Sequence, residues 1–200
     1  MQIVLATRNQ GKLLEMRTLF ADLAVELLTQ VDLDIPSPAE TGLTFVENAL
    51  IKARAVSAAA SLPAIADDSG LVVPALGGQP GIYSARFAGT QGEDRANNDK
   101  LLALMKNEVA RAAYFTCSMV FLASETDPSP IVVSGTWAGE ITSTPMGTDG
   151  FGYDPLFFVP THGCTAAQLN AGNKNEISHR GQASRSLKRM LAAYLQTQDG

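Results

Sequence analysis

Two adjacent carboxylates, Asp67 and Asp68, are the residues whose type and position most clearly suit chemistry. They directly follow the apolar stretch 64–66, which has the composition of a short buried strand. Because side chains alternate along an extended backbone, one carboxylate can face a cleft while the other caps a loop. Carboxylate oxygens suit Mg²⁺, which proteins usually bind through one or two carboxylates together with substrate phosphates. The alternative for this pair is an Asx-type turn without a metal.

Two more carboxylates, Glu40 and Glu47, precede this pair and are candidates to complete a metal site. Glu40 lies in a loop that ends at Gly42. Glu47 follows Thr44 by three residues, which is the pattern of a capping box at the start of a helix. A purely structural role for Glu47 is therefore the alternative.

A polar loop between an apolar strand and a helix is a candidate phosphate site. A loop that contains glycine and opens a helix directs backbone N–H groups and the positive end of the helix dipole at one point. The spacing is not that of a Walker P-loop, and an ordinary polar turn with a surface lysine is the alternative. The loop consists of Thr7, Arg8, Asn9, Gln10, Gly11 and Lys12.

The C-terminal third contains a cationic group and a glycine–aromatic segment. His179 and Arg180 are predicted in the first turn of the last helix, where cations oppose the helix dipole, and this unfavourable placement suggests a ligand. Lys174 lies nearby in the sequence. In the segment Phe151, Gly152, Tyr153 and Asp154, either aromatic ring is suited to stack on a base; a turn that plugs the core is the alternative.

Two other chemistries are excluded. His162 and Cys164 lack the second pair of ligands that a zinc site needs. Ser69 is not in a Gly-x-Ser-x-Gly context and does not complete a convincing serine–histidine–acid triad.

The elements that must position these residues form a mixed α/β pattern without internal repeats. The helix that starts at Lys12 has an apolar face of Leu13, Met16, Phe20 and Leu23. The last helix, from about Ser178, is expected to bury Ala183, Leu187, Met190, Leu191 and Tyr194. Strands are expected at 2–6, 25–28, 64–66, 112–123, 131–142 and 156–159, and further helices at 44–61 and 93–106.

Composition restricts the class of protein. Two hundred residues with 46% hydrophobic content suit one sizeable domain or two lobes that share a core. A net charge of −5 disfavours a nucleic-acid binder but allows a small polyanion to bind where a few cations converge. There is no apolar run of membrane-spanning length and no export signal, so we expect a cytoplasmic protein with two reduced cysteines.

Six ordered motifs together resemble the inosine triphosphate pyrophosphatase family, the RdgB-like enzymes that remove non-standard purine nucleotides. The match extends over nearly the whole chain and departs at Arg8, where many relatives have glycine. The matching segments are 7–12, 40–49, 66–71, 76–86, 150–155 and 177–181.

The resemblance implies an elongated α/β fold with a mixed sheet flanked by helices, forming one ITPase-like domain, 1–200, with two lobes and a nucleotide cleft between them. It also implies a homodimer and a Mg²⁺-dependent enzyme that hydrolyses ITP, dITP and XTP to the monophosphate and pyrophosphate. By motif, Asp68 corresponds to the general base and a metal ligand, and Glu40 to a second ligand.

The same resemblance assigns triphosphate contacts to Lys52, Ser69, Lys174 and the loop 7–12. It assigns a purine pocket to residues 151–154 with His179 and Arg180. The alternatives are a Maf-type nucleoside triphosphate pyrophosphatase, which lacks the motifs around Phe151 and His179, and a catalytically silent nucleotide-binding protein. A structural RNA-binding module fits the acidic composition poorly.

Overall fold

The computed structural model of the protein describes residues 1–90 and 92–198, except for the side chains of Gln10 and Gln198. The strands are β1 (Gln2–Leu5), β2 (Glu26–Thr29), β3 (Ala64–Val72), β4 (Ala112–Leu122), β5 (Ile131–Ile141), β6 (Phe157–Val159) and β7 (Cys164–Thr165). The helices are α1 (Gln10–Leu19), α2 (Phe45–Ala60), α3 (Asp94–Leu104), α4 (Ala171–Ile177) and α5 (His179–Gln198). Short 3₁₀ helices cover Pro74–Leu76, Gly81–Arg86, Asp154–Leu156 and Ala166–Gln168.

The strands form a mixed sheet in the order β2-β1-β3-β4-β5-β6-β7. β1 pairs in parallel with both β2 and β3, whereas β6 pairs antiparallel with both β5 and β7. The predicted α/β fold with a mixed sheet and accompanying helices is therefore confirmed. Every helix in the described part of the chain is too short or too polar to span a lipid bilayer.

The chain divides into two compact units. Unit 1 contains Met1–Asp68, Cys117–Gly135 and the chain from Gly181 onward; unit 2 contains Ser69–Thr116 and Thr136–Arg180. The boundaries fall inside β3, β4 and β5, so each of these strands contributes residues to both units.

The core of unit 1 follows the two-residue alternation of its strands. Ile3, Leu5 and Ile65 belong to one buried cluster, whereas Val4 and Ala64 belong to another. The first cluster includes the apolar faces of α1 and α5, and the second includes that of α2, with the helix residues Leu13, Met16, Phe20, Ala183, Leu187, Leu191, Ala49, Ala53 and Val56. Unit 1 is thus a sheet segment with helices packed on both faces.

Unit 2 has a core rich in aromatic side chains. The Phe115 ring lies 4.6 Å from the Phe157 ring and 6.3 Å from the Trp137 ring, measured between centroids. Leu101 of α3 and Met105, the C-cap residue of that helix, are fully buried in the same cluster.

Several expectations need correction. Asp67 and Asp68 lie within β3, not beyond it, because the strand continues to Val72. Within β3, Ala64 and Ile65 pair with β1. The acidic pair comes after these two residues, so it lies beyond the part of β3 that pairs with β1. Met190 is 45% exposed, since it lies about 100° around α5 from the buried Leu191. The seven-residue α4 and two-residue β7 were not expected, because such short elements have too few residues to show a period.

The predicted capping box is confirmed at the start of α2. The Thr44 hydroxyl accepts a hydrogen bond from Glu47 N, and the Glu47 carboxylate accepts from Thr44 N at 2.8 Å. The hydroxyl and backbone hydrogen bonds also lower the pKa of Glu47. Glu47 therefore serves the helix end, as the structural alternative proposed.

We predict that Thr44→Ala lowers the free energy of unfolding by about 1 kcal/mol, because an orphan N–H group of α2 loses its acceptor. Urea unfolding at neutral pH measures the change. Thr18→Ala is the matched control: its hydroxyl bonds back to Leu14 O within α1, so this change should have little effect. Equal stability losses in the two variants would contradict the prediction.

Candidate active site

Asp67 and Asp68 form ion pairs with different lysines, as expected for neighbours on a strand whose side chains point in opposite directions. Lys12 Nζ lies 2.7 Å from Asp67 Oδ2, and the Asp67 side chain is fully buried. Asn9 positions this lysine, because its side chain caps α1 by accepting a hydrogen bond from Lys12 N at 3.1 Å. The start of α1 thus supplies the counter-charge for a buried carboxylate.

Asp68 belongs to a second cluster, in which the ammonium group of Lys52 contacts two carboxylates. Lys52 Nζ, from α2, lies 3.1 Å from Asp68 Oδ1 and 2.8 Å from Glu40 Oε1. These three side chains are only 10–22% exposed. The two carboxylates that the sequence predicts as metal ligands are therefore brought together in unit 1.

Asn48 is a member of this cluster that the sequence analysis missed. Its side chain is fully buried, and its Nδ2 donates to Asp68 Oδ2 at 3.3 Å while its Oδ1 accepts from Gly42 N at 2.8 Å. A Cβ at Gly42 would lie 2.6 Å from Glu47 Cβ, so only glycine allows this close approach. The signal was present in the sequence, since Asn48 lies four residues before Lys52 and hence on the same face of α2.

The electrostatics of the cluster set the protonation of Asp68 and Lys52. Burial raises the pKa of Asp68, although the ammonium groups of Lys52 and Lys12 oppose this rise. Burial by itself lowers the pKa of Lys52, but attraction to Asp68, Asp67 and Glu40 outweighs it, and the net pKa is raised. Lys52 is therefore an ammonium at neutral pH beside a carboxylate of increased basicity.

The polar loop before α1 is tied to the rest of unit 1. Asn9 N donates to the Thr7 hydroxyl at 3.2 Å, and Arg8 Nη2 donates to Ile35 O at 3.1 Å. Arg8 thus anchors the segment that leads to Glu40, a role that the sequence did not indicate. Gln10 begins α1 with Gly11 next to it, but the Gln10 side chain lies outside the described part of the structure.

The donor set around Asp68 fits a hard divalent cation that substrate phosphates help to bind. Glu40 and Asp68 supply carboxylate oxygens on either side of one lysine, and Asn48 orients one of them. Within residues 1–90 and 92–198 there is no group of three or more His, Cys, Asp or Glu side chains placed to hold a metal. Two carboxylates suit a cation that takes its remaining ligands from substrate and water better than a metal that needs a complete protein cage.

The second group of predicted residues lies in unit 2, around Asp154. Its buried carboxylate accepts from Phe151 N at 2.8 Å and from Lys174 Nζ at 2.6 Å. Lys174 Nζ also lies 4.9 Å from the centroid of the Phe151 ring. Gly150 has φ +80°, and a Cβ there would lie 2.1 Å from Asp154 Oδ2, so the turn requires glycine. Lys174 is therefore placed with the aromatic segment.

His179 and Arg180 lie in the first turn of α5, as predicted, and both side chains are buried. The His179 ring stacks on Phe115, with centroids 4.8 Å apart and planes inclined by 10°. Arg180 Nη2 donates to the Ser69 hydroxyl at 2.9 Å, and its guanidinium carbon lies 5.5 Å from the centroid of the Phe151 ring. Lys174 and Arg180 therefore both lie close to the Phe151 ring, whereas His179 packs against Phe115.

Tyr153 occupies a different position from its neighbour Phe151. Its ring belongs to the core of unit 2, and its hydroxyl donates to Ser84 O at 2.8 Å. Burial is the main reason that the pKa of Tyr153 is raised. The core-plugging alternative therefore describes Tyr153, while Phe151 is the half-buried ring of the segment.

We predict that Lys52→Met raises the pKa of Asp68 further, because the ammonium group is the strongest influence that opposes the effect of burial. ¹³C NMR titration of the aspartate carboxyl signals in metal-free protein measures this pKa. Lys188→Met is the control: Lys188 pairs with Asp22 on the surface and lowers the pKa of that residue, so Asp68 should be unaffected. An unchanged or lower pKa of Asp68 in Lys52→Met would refute the prediction.

Comparison with known proteins places the chain in a family. The profile described as Ham1 family matches residues 3–190. The chain is 54% identical to the dITP/XTP pyrophosphatase of Halorhodospira halophila, with 96% of this chain and 98% of that protein covered. It is 52% identical to the dITP/XTP pyrophosphatase of Escherichia coli, with 93% and 95% covered. A solved HAM1 protein from Coxiella burnetii superimposes with a TM-score of 0.92 at 45% identity, covering 96% of this chain and 99% of that one. The chain therefore belongs to the Ham1 family.

Proposed function

We propose that this protein hydrolyses dITP, ITP and XTP to the corresponding monophosphate and pyrophosphate. The observation that carries the proposal is the cluster in which Lys52 bridges Glu40 and Asp68, with Lys12 on the adjacent Asp67. Such a group suits the hydrolysis of a phosphoanhydride bond, since it combines a candidate base with positive charge for phosphate. The names of the relatives at 52–54% identity supply the substrate class.

Residues of unit 1 would bind the triphosphate. Lys12 and Lys52 provide ammonium groups, and the first turn of α1 offers backbone N–H groups and the positive end of the helix dipole. We assign the backbone of the loop from Thr7 to Gly11 to the same role. Arg8 contributes indirectly by anchoring this loop through Ile35 O.

Asp68 would act as the general base. Water attacks the α-phosphorus and transfers a proton to the Asp68 carboxylate while a new P–O bond forms. The bond from the α-phosphorus to the bridging oxygen breaks, and its electron pair leaves with pyrophosphate. Burial makes Asp68 a stronger base than an exposed aspartate, while Lys52 and Lys12 favour the ionised form that this role requires.

We propose Mg²⁺ as the cofactor, with Glu40 and Asp68 as the residues that hold it. When bound there, the ion supplies positive charge against the charge that develops on the phosphate oxygens. The side-chain amide of Asn48 donates a hydrogen bond to one oxygen of Asp68 and so maintains the orientation of the carboxylate.

Residues of unit 2 would bind the purine. We assign stacking to the Phe151 ring, whose surroundings already include Lys174 and Arg180. His179 and Arg180 would donate hydrogen bonds to the base, and Asp154 would hold Lys174 and Phe151 in place. The triphosphate contacts expected of Ser69 and Lys174 stay predictions, and the Ser69 hydroxyl also accepts a hydrogen bond from Arg180. Tyr153 would act through packing.

The remaining properties stay predictions from the family resemblance: one domain with two lobes, a nucleotide cleft, a homodimer and a cytoplasmic location. A sedimentation measurement on the purified chain tests the dimer.

The proposed activity predicts pyrophosphate release from ITP, dITP and XTP in the presence of Mg²⁺, and little release with EDTA or from ATP and dTTP. Asp68→Asn should lower kcat by about 10²–10⁴-fold, because the variant cannot accept the proton. Unchanged turnover in this variant would remove Asp68 from the role of base. Preferred turnover of dTTP would favour the Maf-type alternative, and binding of ITP without release would favour a silent nucleotide-binding protein.

Arg180→Ala should narrow the ratio of kcat/KM between ITP and ATP by about tenfold or more. A guanidinium donor is satisfied by the O6 of a 6-oxopurine, whereas the 6-amino group of adenine opposes it donor to donor. The matched control is Arg185→Ala, an exposed arginine on the same helix, which should leave the ratio unchanged. Thermal unfolding of both variants checks the fold, and an unaltered ratio in Arg180→Ala would contradict the assignment.

A further inference from the structure

Helix α3 holds the loop that carries Phe151. Asp94 Oδ2 accepts a hydrogen bond from Gly152 N at 2.7 Å, and Asn98 Nδ2 donates to Gly152 O at 2.9 Å. Asp94 and Asn98 are four residues apart, so one face of α3 presents an acceptor and a donor side by side. Both polar groups of the Gly152 backbone are therefore bound by side chains from a single helix.

The carboxylate of Asp154 also holds the backbone of this loop, at Phe151 N. Asp154 Oδ2 accepts from Phe151 N at 2.8 Å, and Lys174 Nζ bonds to the same oxygen. The backbone is thus fixed at Phe151 N and on both sides of the Gly152 residue. Because the ring is attached between these fixed points, its position relative to Lys174 and Arg180 depends on them.

The space beside the loop makes the α3 contacts necessary. A cavity of about 460 Å³ lies between α3 and the loop, and Asp94, Asn98, Phe151 and Gly152 all contribute to its wall. The loop is therefore not packed against α3 by a continuous layer of apolar side chains. Once the two hydrogen bonds are lost, the cavity leaves room for the loop to move.

We propose that Asp94 and Asn98 are positioning residues that keep the Phe151 ring ready to stack on the purine. The proposal rests on the proposed function, since it assumes that Phe151 contacts the base. A ring that is fixed before binding avoids the entropy loss of ordering it when the nucleotide binds. Removal of the contacts should therefore weaken binding of the base, while the chemical step at Asp68 in unit 1 continues at its own rate.

Two nearly isosteric substitutions separate this role from general effects on the fold. Asp94→Asn keeps an oxygen that can accept from Gly152 N, so KM for ITP should remain near the wild-type value. Asn98→Asp places a carboxylate against the Gly152 carbonyl, so KM should rise about tenfold, within the range for loss of one stacked base. In both variants kcat should stay within about twofold of wild type, because the chemical step is not affected.

A ligand without a base provides the internal control. Inorganic tripolyphosphate should inhibit ITP hydrolysis competitively through the phosphate-binding residues alone. Its inhibition constant should be the same in wild type, Asn98→Ala and Asn98→Asp, whereas KM for ITP rises in both variants. This comparison also reports any effect of the added charge in Asn98→Asp, because a purely electrostatic effect would weaken tripolyphosphate as well.

A double-mutant cycle tests whether Asn98 acts through the ring. If it does, Asn98→Ala should raise KM in the wild-type background but not in the Phe151→Ala background. Asp99→Ala is the matched control, since this exposed neighbour lines the same cavity but is not a partner of Gly152 in the described structure. It should leave KM and kcat unchanged.

The outcomes are distinct. Equal losses in tripolyphosphate inhibition and in ITP affinity, or additive effects of Asn98→Ala and Phe151→Ala, would overturn the positioning role. Failure of the wild-type protein to release pyrophosphate from ITP would instead overturn the proposed function. In that case calorimetric binding of ITP to the same variants still tests the positioning role.

Discussion

The need to neutralise two neighbouring carboxylates in a buried strand organises unit 1. Asp67 and Asp68 are adjacent in β3, so they project in opposite directions and form direct ion pairs with different lysines. Lys12 from α1 pairs with the first, and Lys52 from α2 pairs with the second. Buried ion pairs contribute little net stability compared with apolar residues of similar size, whereas an unpartnered buried carboxylate is strongly destabilising. The two ion pairs therefore connect α1 and α2 to β3, and net stability alone does not account for them, in keeping with the catalytic role that we propose for Asp68.

The sequence predicted features that depend on short-range patterns. The capping box from Thr44 to Glu47 and the buried Leu13 and Met16 of α1 each lie within a few residues of chain, where local geometry determines the outcome. Leu23, which was also expected on this helix, lies beyond its end at Leu19. The alternation of carboxylate directions in β3 also followed from the strand period alone. For α5 the same reasoning succeeded for Leu187 and Leu191 but failed for Met190, because a single-residue shift moves a side chain by about 100° around a helix.

Features that depend on distant parts of the chain could not be predicted from spacing. Lys12 and Asp67 are 55 residues apart, and Arg180 and Ser69 are 111 residues apart. The resemblance grouped some of these residues by motif, but it did not say which atom bonds to which. It also missed Asn48, whose amide connects the Glu40 loop to Asp68, because a buried asparagine beside a capping box is equally typical of a structural role.

In unit 2, the residues that we propose for purine binding are connected to one another, so one of them cannot be altered without affecting the others. A single carboxylate oxygen of Asp154 accepts from both Phe151 N and Lys174 Nζ, so it orients an aromatic ring and an ammonium group together. Removing Asp154 would free both, and would also leave a mostly buried lysine without this counter-charge. Gly150 must remain small because that same oxygen occupies the space of its missing side chain. The selection for the base that we propose is therefore a property of the connected group, and substitutions within it should have effects that do not add.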